Sequence, residues 1–490
     1  PVVKDELAFR LSVDHQQRET SVDLPHYDPV GNPRWFKATN TRAKLLWTPS
    51  ALPDLYSRLT FNHLNARAPQ SETELQPNSP RYTPERPVFQ TRSASTIWDI
   101  GYQLSEHWKW ENKLVYTHFI QDRKTTSPFN TTLPPNRRGV PARVDGNEFQ
   151  IEPIVKYENE NYRGLFGLFY FNAKQDESVT MLNGRIARTP ITTNFNDKTK
   201  TKAAFGEITF TPDIPFELTL SARYEQEHHQ RKGKSAMFSI NRDKKYNVFL
   251  PKADIAWKMN DDQRLGFKVG KGYNPGGAGV TFGVPYTSYE YDAEYVWNYE
   301  FYHRWTSADK RLRINSNLFY NDYKDMQLPF TLGPNSIVIR NADKVVTYGA
   351  EINAEWQATE KLALNAGIGM LKTDIKRYPN SGIEGNKLAR APSFSGKLGA
   401  NYRLLDHLEI GTNYSYNSSY YSTADNLANG KVGHYDQLDV YLAYDFKHAR
   451  ITLYADNVLN SRKDILLVPR SGDITRQPER QIGLSTELRF

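Results

Sequence analysis

Ten short polar turns recur along the chain at intervals of about fifty residues, and this spacing constrains the fold more than any other feature. Each interval is long enough for one strand, a loop and a returning strand. Regular hairpins separated by turn residues are typical of an up-and-down antiparallel sheet, and ten such units predict about twenty strands. The turns lie near residues 4–5, 53–54, 106–107, 159–160, 212–213, 261–262, 308–309, 359–360, 406–407 and 446–447.

Alternation of apolar and polar residues within these intervals indicates strands rather than helices. In 312–320, apolar residues such as Leu318 stand at even positions and polar residues such as Arg313 at odd positions. The segments 362–370 and 482–490 alternate with the same period of two. Successive side chains of a strand point to opposite faces. Each of these strands is therefore predicted to have one apolar face and one polar face.

The low hydropathy of the chain does not exclude a membrane protein. Only 38% of the 490 residues are hydrophobic, and no apolar run approaches the roughly 18–20 residues of a spanning helix. A barrel strand, however, needs lipid-facing residues only at alternate positions over about ten residues. The 30 Tyr and 24 Phe are suited to aromatic girdles. We therefore predict an all-β fold, a transmembrane antiparallel up-and-down β-barrel, occupying residues 1–490 as one domain.

The connections between the predicted strands are of two kinds. The turns are short, whereas the opposite connections are long and rich in Pro, Gly and Asn, as in 75–92, 127–146, 183–199 and 274–292. Outer-membrane barrels have short periplasmic turns and long extracellular loops. A soluble propeller would instead have four-stranded blades with shorter loops.

Aromatic residues support this orientation. Six tryptophans lie within about six residues of a short turn, where a periplasmic aromatic belt is expected. Phe490, which ends the last alternating segment, resembles the terminal assembly signal of outer-membrane barrels and could also be a girdle residue. The six tryptophans are Trp47, Trp108, Trp110, Trp257, Trp305 and Trp356.

Residues that would support chemistry are sparse. The chain has no cysteine, which excludes disulfides and thiol catalysis. His228 and His229 are adjacent, so a strand would point them to opposite faces, and the glycines of 276–279 lack the Lys-Ser/Thr of a phosphate loop and are more simply a loop entrance. We predict no catalytic site, metal site, cofactor or nucleic-acid partner. The net charge of +8 suits a solvated surface, or attraction to lipopolysaccharide or an anionic ligand.

Several short segments carry a family resemblance. They occur in family order and resemble segments of TonB-dependent outer-membrane receptors, although Asp343 stands where that family usually has glycine. Within the family, 323–327 and the segment at Asn341 are most similar to receptors of the pesticin/yersiniabactin and vibriobactin type. The segments are 1–10, 272–277, 298–300, 341–344, 348–351 and 454–460.

The resemblance implies a function and a set of partners. It implies a monomeric receptor in the outer membrane of a Gram-negative bacterium, surrounded by lipid and lipopolysaccharide. Such a receptor takes up a ferric siderophore of phenolate or catecholate type, with iron present only in the ligand, driven by TonB and the proton motive force. Family members also carry an N-terminal plug inside a barrel of about 22 strands. We expect this chain to begin before the third family strand, with the plug and the TonB contact outside it.

Arginine and aromatic residues in the expected loops are the candidate ligand contacts. The arginine fork donates hydrogen bonds in pairs to carboxylate or catecholate oxygens, and aromatic rings give rigid contact area. The alternative for each residue is a solvated loop position or a lipopolysaccharide contact. The candidates are Arg81, Tyr82, Arg137, Arg138, Tyr286, Tyr289 and Arg340.

Other functions remain open at this point. The receptor could take up another nutrient through TonB, such as cobalamin, haem or a glycan. A passive porin would have fewer strands and an acidic constriction loop. An outer-membrane enzyme would need a Ser/His/Asp-type site near the rim, and no spacing in the sequence indicates one.

Overall fold

The computed structural model describes residues 2–20, 22, 24–70, 74–75, 85–126, 139–181, 190–333, 336–469 and 472–488. The first strands are β1 Leu7–Glu19, β2 Trp35–Trp47, β3 Leu55–Pro69, β4 Glu74–Leu75, β5 Val88–Gln103, β6 Trp108–Lys124, β7 Ala142–Glu158, β8 Tyr162–Met181, β9 Ile191–Phe210, β10 Phe216–Lys234, β11 Ser239–Asn260, β12 Gln263–Asn274, β13 Gly277–Val280 and β14 Ser288–Tyr291. They are followed by β15 Glu294–Thr306, β16 Leu312–Gly333, β17 Ser336–Gln357, β18 Leu362–Arg377, β19 Phe394–Leu405, β20 Leu408–Asn417, β21 Tyr420–Tyr421, β22 Lys431–Val432, β23 Tyr435–Asp445, β24 Ala449–Asp456, β25 Asp464–Val468, β26 Asp473–Arg476 and β27 Gln481–Leu488.

Twenty of these strands form one antiparallel sheet that is the barrel wall. Consecutive wall strands pair with one another, from β1 and β2 to β24 and β27. The remaining strands, β4, β13, β14, β21, β22, β25 and β26, form small sheets in the loops. The predicted fold class and the predicted count of about twenty strands are confirmed, and all ten predicted turns lie on the same side of the wall.

The hydrogen-bonded ladders extend well beyond a bilayer. The strands β11, β16 and β17 have 22 residues each, whereas about ten residues of a tilted strand span the membrane. Roughly half of each therefore stands above the lipid. The predicted loop boundaries were wrong here, because β5, β7 and β9 already begin at Val88, Ala142 and Ile191.

Not every connection on the loop side is long. Residues 235–238 join β10 to β11, and only 334–335 separate β16 from β17. Above the lipid both faces of a strand meet water, so the apolar alternation disappears while backbone pairing continues. For this reason the sequence pattern assigned the polar ends of β5, β7 and β9 to loops.

The two faces of the wall differ as the alternation predicted. On β10, Leu218, Leu220 and Tyr224 are exposed on the outer face. The intervening Glu217 points inward, where its carboxylate lies 2.6 Å from Lys258 Nζ and 2.5 Å from Arg264 Nη2. An apolar exterior around a charged interior is the arrangement of a membrane barrel.

Two aromatic rows mark the height of the apolar band. At the turn side, Trp47, Trp108, Trp257 and Trp356 are exposed, as predicted, and Trp110 and Trp305 are half-buried. Eight residues above Trp356, Tyr348 continues a row in which its ring is 6.2 Å from that of Tyr320. Eight residues at about 3.3 Å each give roughly 26 Å along the strand, which at a tilt of about 40° is roughly 20 Å of height, the scale of the lipid-facing band of about 25 Å.

The end of the chain keeps the predicted alternation as far as the structure describes it. Ile482, Leu484 and Leu488 are exposed on one face of β27, whereas the terminal Phe490 lies outside the described residues. Separately, none of the helices in the described part of the chain is long and apolar enough to cross a membrane.

We expect Leu220→Arg to destabilise the barrel by roughly 2–4 kcal/mol, because it places a charge at mid-height on the lipid face. The neighbouring Ser221→Arg points into the lumen and should change stability little. Urea unfolding in lipid vesicles measures both. Equal destabilisation by the two variants would contradict the assigned faces.

Candidate functional site: the loop-side mouth

The structure describes three of the seven sequence candidates. Tyr286, Tyr289 and Arg340 lie at the loop side of the wall, whereas Arg81, Tyr82, Arg137 and Arg138 lie outside the described residues. The described mouth consists of the loop-side ends of β8 to β18 and the connections between them.

A short hairpin fills a step in the rim. The wall strands β12 and β15 stop at Asn274 and Glu294, well below the tall strands β11, β16 and β17. Between them β13 pairs with β14, and we call residues 277–291 the bridging hairpin. On one side, the Ser239 N–H donates to Ser288 Oγ at 3.2 Å, and on the other Ser336 Oγ donates to the Pro285 carbonyl at 2.6 Å.

A second anchor lies at the base of the bridging hairpin. The Asp292 N–H donates to Asn341 Oδ1 at 2.8 Å, and Asn341 Nδ2 donates back to the Asp292 carbonyl at 2.8 Å. The side-chain amide of Asn341 thereby makes the two hydrogen bonds with the Asp292 backbone that a paired strand residue would make in a regular ladder. The hairpin is held to β11 and β17 and forms a fixed part of the mouth.

Glycines let the tyrosines of the hairpin lie flat across it. A Cβ on Gly279 would lie 2.6 Å from the hydroxyl of Tyr289, closer than real Cβ contacts allow. Gly277 faces Tyr291 in the same way. The run 276–279 is therefore largely a paired strand beneath aromatic rings, where the sequence suggested a loop entrance.

Tyr286 and Tyr289 occupy different surroundings. Tyr286 packs against an apolar cluster that closes the loop ends of β8, β9 and β11, formed by Val179, Met181, Phe195, Phe238, Ile240 and Val280. Tyr289 stacks on Tyr291, with ring centroids 6.3 Å apart. Burial raises the pKa of the Tyr289 phenol, Tyr291 acts in the same direction, and the cation of Arg231 opposes both.

Arg231 is the centre of a charged network on the inner face. Its Nη1 lies 2.6 Å from Asp197 Oδ2 and its Nη2 lies 2.6 Å from Glu177 Oε2. The guanidinium also lies 4.4 Å from the ring centroid of Phe195. Burial raises the pKa of Asp197, and the charge of Arg231 partly reverses this effect. The arginine is thus fixed in direction by two carboxylates from neighbouring strands.

Arg242 is the most buried cation among the described residues of the mouth. Its side chain is 2% exposed, with Nε 3.7 Å from Glu290 Oε2, and its Nη2 donates to the hydroxyl of Tyr246 and, at 3.4 Å, to the Tyr291 carbonyl. The Nε atoms of Arg231 and Arg242 are both buried without a hydrogen-bond partner among the described residues. We call Arg231, Arg242, Tyr246, Tyr289 and Tyr291 the mouth cluster.

Arg340 lies apart from the mouth cluster. Its guanidinium is 4.3 Å from the ring centroid of Phe330 and 5.5 Å from that of Tyr378, and its Nη2 donates to the Pro379 carbonyl at 3.3 Å. Among the described residues no contact joins Arg340 to Tyr286 or Tyr289. The structure therefore does not gather the three described candidates into one contact site.

Sequence reasoning missed Arg231 and Arg242. The candidates were sought in expected loops, whereas these two arginines lie within the ladders of β10 and β11. The sequence contained a signal for both, because residues an even number of positions apart on one strand share a face. Arg231 stands in this relation to Glu217, and Arg242 to Lys258, both of which face the lumen. Following the lumen-facing alternation along β10 and β11 to their loop-side ends would have selected both arginines.

Metal-binding geometry is absent from the described part of the chain, where no group of three or more His, Asp or Glu side chains could hold an ion. As predicted, the adjacent histidines diverge. His228 Nε2 lies 2.6 Å from Asp243 Oδ1, and His229 contacts Glu227.

The wall and its mouth are similar in fold to those of known proteins. The sequence model of the family described as TonB dependent receptor-like, beta-barrel matches residues 32–460. The chain belongs to this family, as the sequence motifs predicted, and the family is one of receptors rather than enzymes. Barrels of this family lie in the outer membrane of Gram-negative bacteria, so the long-loop side faces the cell exterior.

Individual relatives are distant. The pesticin receptor of Yersinia pestis is 22% identical over an alignment of 306 residues, and the match covers 59% of this chain and 44% of the receptor. The match thus spans less than half the length of that curated relative. In fold, the chain is similar to the ferric yersiniabactin uptake receptor FyuA from Yersinia pestis, at a TM-score of 0.82 and 17% identity over 100% of this chain and 76% of that one.

A further solved structure shows the same fold. The ferric-catecholate import receptor Fiu from Escherichia coli K12 has a TM-score of 0.74 and 12% identity, covering 99% of this chain and 78% of that chain. At these identities the likeness establishes the architecture of the wall.

We expect Arg231→Ala to destabilise the loop side by roughly 1–3 kcal/mol, below the 3–5 kcal/mol of a fully buried pair, because Glu177 and Asp197 would lose their shared cation. The same substitution in a Glu177→Gln/Asp197→Asn background should cost much less. Amide hydrogen exchange along β8–β10 gives both values. Additive effects would show that the network is not coupled.

Proposed function

We propose that the chain forms the wall and outer loops of a receptor that takes up a ferric siderophore, with phenolate or catecholate chelators favoured. The observation that carries the proposal is the mouth cluster, in which two oriented arginines and three tyrosines lie at the extracellular end of a TonB-dependent receptor barrel. Iron enters this scheme only as part of the ligand.

The chemistry of the mouth cluster suits an anionic aromatic chelate. Ferric complexes of catecholates and phenolates expose negatively charged oxygens beside flat rings. An arginine held by carboxylates or tyrosines donates to such oxygens in a fixed direction, and tyrosine rings give rigid stacking area. The buried, unpartnered Nε atoms of Arg231 and Arg242 are donors that a bound chelate could satisfy through local movement.

Transport in this proposal depends on energy supplied from outside the wall. TonB, energised by the proton gradient, would act on a plug inside the barrel, and the ligand would pass along the charged lumen. Lumen charges such as Glu217 with Lys258 and Arg264 would meet the plug or the passing ligand. The candidates Arg81, Tyr82, Arg137 and Arg138 stay predictions from the sequence, and Arg340 is a separate candidate beside Phe330 and Tyr378.

Uptake of radioactive iron by the parent strain and a deletion strain tests the function. We expect the deletion to abolish uptake from at least one ferric catecholate or phenolate, and loss of TonB or addition of a protonophore to do the same in the parent strain. Uptake that persists without TonB would indicate a passive pore. Unchanged iron uptake from every such chelate, with loss of cobalamin, haem or glycan uptake, would overturn the substrate class.

The mouth cluster can be tested by substitution. Arg242→Ala should raise the half-saturating chelate concentration about tenfold or more, as expected for losing hydrogen bonds to a charged group. Arg242→Lys keeps the charge without the fork and should be intermediate. The control is Arg377→Ala, since this arginine is 68% exposed at the same side and pairs with Asp343. Equal effects of Arg242→Ala and the control would remove the mouth cluster from the binding site.

A further inference from the structure

Two long segments without a charged residue meet at the loop side of the wall. Residues 272–289 and 326–339 contain no Asp, Glu, Lys or Arg, although these four residue types make up 24% of the chain. The first segment includes most of the bridging hairpin, and the second forms the upper ends of β16 and β17. The fold therefore gathers an uncharged surface beside the charged mouth cluster.

Contacts between the tips of these two hairpins fix their relative position. Ser336 Oγ donates to the Pro285 carbonyl at 2.6 Å, and within the bridging hairpin Thr281 Oγ1 donates to the same carbonyl at 2.9 Å. The backbone of Gly333 lies so close that an added Cβ would clash with the Val284 carbonyl. The two tips are therefore packed together as one ordered unit.

Apolar side chains at these tips are exposed to water. Phe282 is 52% exposed, Val284 is 63% exposed, and Leu332 on the neighbouring tip is 42% exposed. The alternating residues Thr281 and Gly283 are buried, so Phe282 and Val284 lie on the same, solvent-exposed side of the bridging hairpin. We call Phe282, Val284 and Leu332 the apolar tip.

Other loops treat their apolar residues differently. In the loop that follows β18, Tyr378 is fully buried in a cluster with Ile375 and Leu328. Leu427 and Leu459 are exposed in two further loops, but each has a charged residue within four positions on both sides in the sequence. The apolar tip thus differs from these loops in being both exposed and surrounded by uncharged chain, which is a mark of a binding surface.

The apolar tip is continuous with the mouth cluster. Val280 and Tyr286, which flank the exposed part of the bridging hairpin, pack in the apolar cluster that includes Phe195. The ring centroid of Phe195 lies 4.4 Å from the guanidinium of Arg231. Apolar contacts therefore lead without a break from an arginine of the mouth cluster to the exposed tip.

The separation between the two surfaces is within the reach of one small molecule. Tyr289 of the mouth cluster pairs with Gly279 across the bridging hairpin. Phe282 is three residues beyond Gly279, which is about 10 Å along an extended strand. A molecule whose anionic oxygens bind at the mouth cluster can therefore reach the apolar tip with an alkyl chain of medium length.

We propose that the receptor binds an amphiphilic ferric chelate, whose acyl chain packs on the apolar tip while its anionic oxygens bind at the mouth cluster. This inference rests on the proposed function and narrows its substrate class. Moving an alkyl chain from water onto apolar side chains is favourable in proportion to the area covered. Because the tip is already ordered by its hydrogen bonds, little conformational entropy is lost when the chain binds.

A pair of chelates that differ only in their chain tests the acyl site. The full-length receptor in lipid nanodiscs is titrated with the ferric complexes of one synthetic bis-catechol, prepared as a methyl amide and as a decyl amide of equal charge. The decyl form should bind about fivefold or more tightly than the methyl form. Equal binding of the two forms would overturn the acyl site and leave the proposed function intact, whereas binding of neither form would contradict both.

Substitution of the tip locates the chain. Phe282→Ser/Val284→Ser should reduce the preference for the decyl form to less than about twofold, while the affinity for the methyl form stays within about twofold of the parent. The matched control, Leu427→Ser/Leu459→Ser, removes two exposed apolar side chains from other loops and should keep the full preference. Partition of the decyl chain into the nanodisc lipid is common to all variants and cancels. An unchanged preference in the tip variant, or an equal loss in the control, would refute the proposal.

A second variant separates the apolar surface from the shape of the tip. Phe282→Leu/Val284→Ile keeps an apolar tip and should keep most of the preference for the decyl form, whatever happens to the folding of the serine variant. Heat-modifiable migration on gels verifies that each variant forms a barrel. If this apolar variant folds and binds the methyl form but shows no preference for the decyl form, the apolar surface is not the determinant and the proposal is wrong.

Discussion

The backbone hydrogen-bond ladder is the constraint on which the rest of this structure depends. Inside a bilayer no water is available to satisfy peptide groups, so each spanning strand must pair with its neighbours. From β1 to β27 the pairing follows the simplest order, since consecutive wall strands pair with one another. Once pairing is fixed, the period of two decides which side chains meet lipid and which meet the lumen. The girdles and the lumen charges both follow from that parity.

Much of the wall could be predicted from the sequence because lipid imposes a strong pattern on it. The turns, the strand number, the faces of segments such as 362–370 and the turn-side tryptophans all follow from alternation and turn chemistry. The loop boundaries could not, because strands such as β9 continue above the lipid, where both faces are polar and the pattern ends. Family motifs identified the receptor class, but motif positions say little about a mouth built by neighbouring strands.

The mouth illustrates a second limit of reading a sequence. Arg231 lies beside Glu177 and Asp197, which are 54 and 34 residues away in the chain, so its network depends on register across three strands. Arg340 was a reasonable loop candidate, yet it packs between two rings. In both cases residue type indicated the chemistry, while strand register decided which side chains could meet.

The bridging hairpin has a consequence for how tightly the mouth can hold a ligand. A loop that is ordered only when ligand arrives loses conformational entropy in each binding event, and this loss weakens the affinity. Here β13 and β14 are already tied to β11 and β17 through Ser288, Pro285 and Asn341, so that entropy is lost during folding. Selection for a new ligand could then act on side chains such as Tyr289 without rebuilding the loop that presents them.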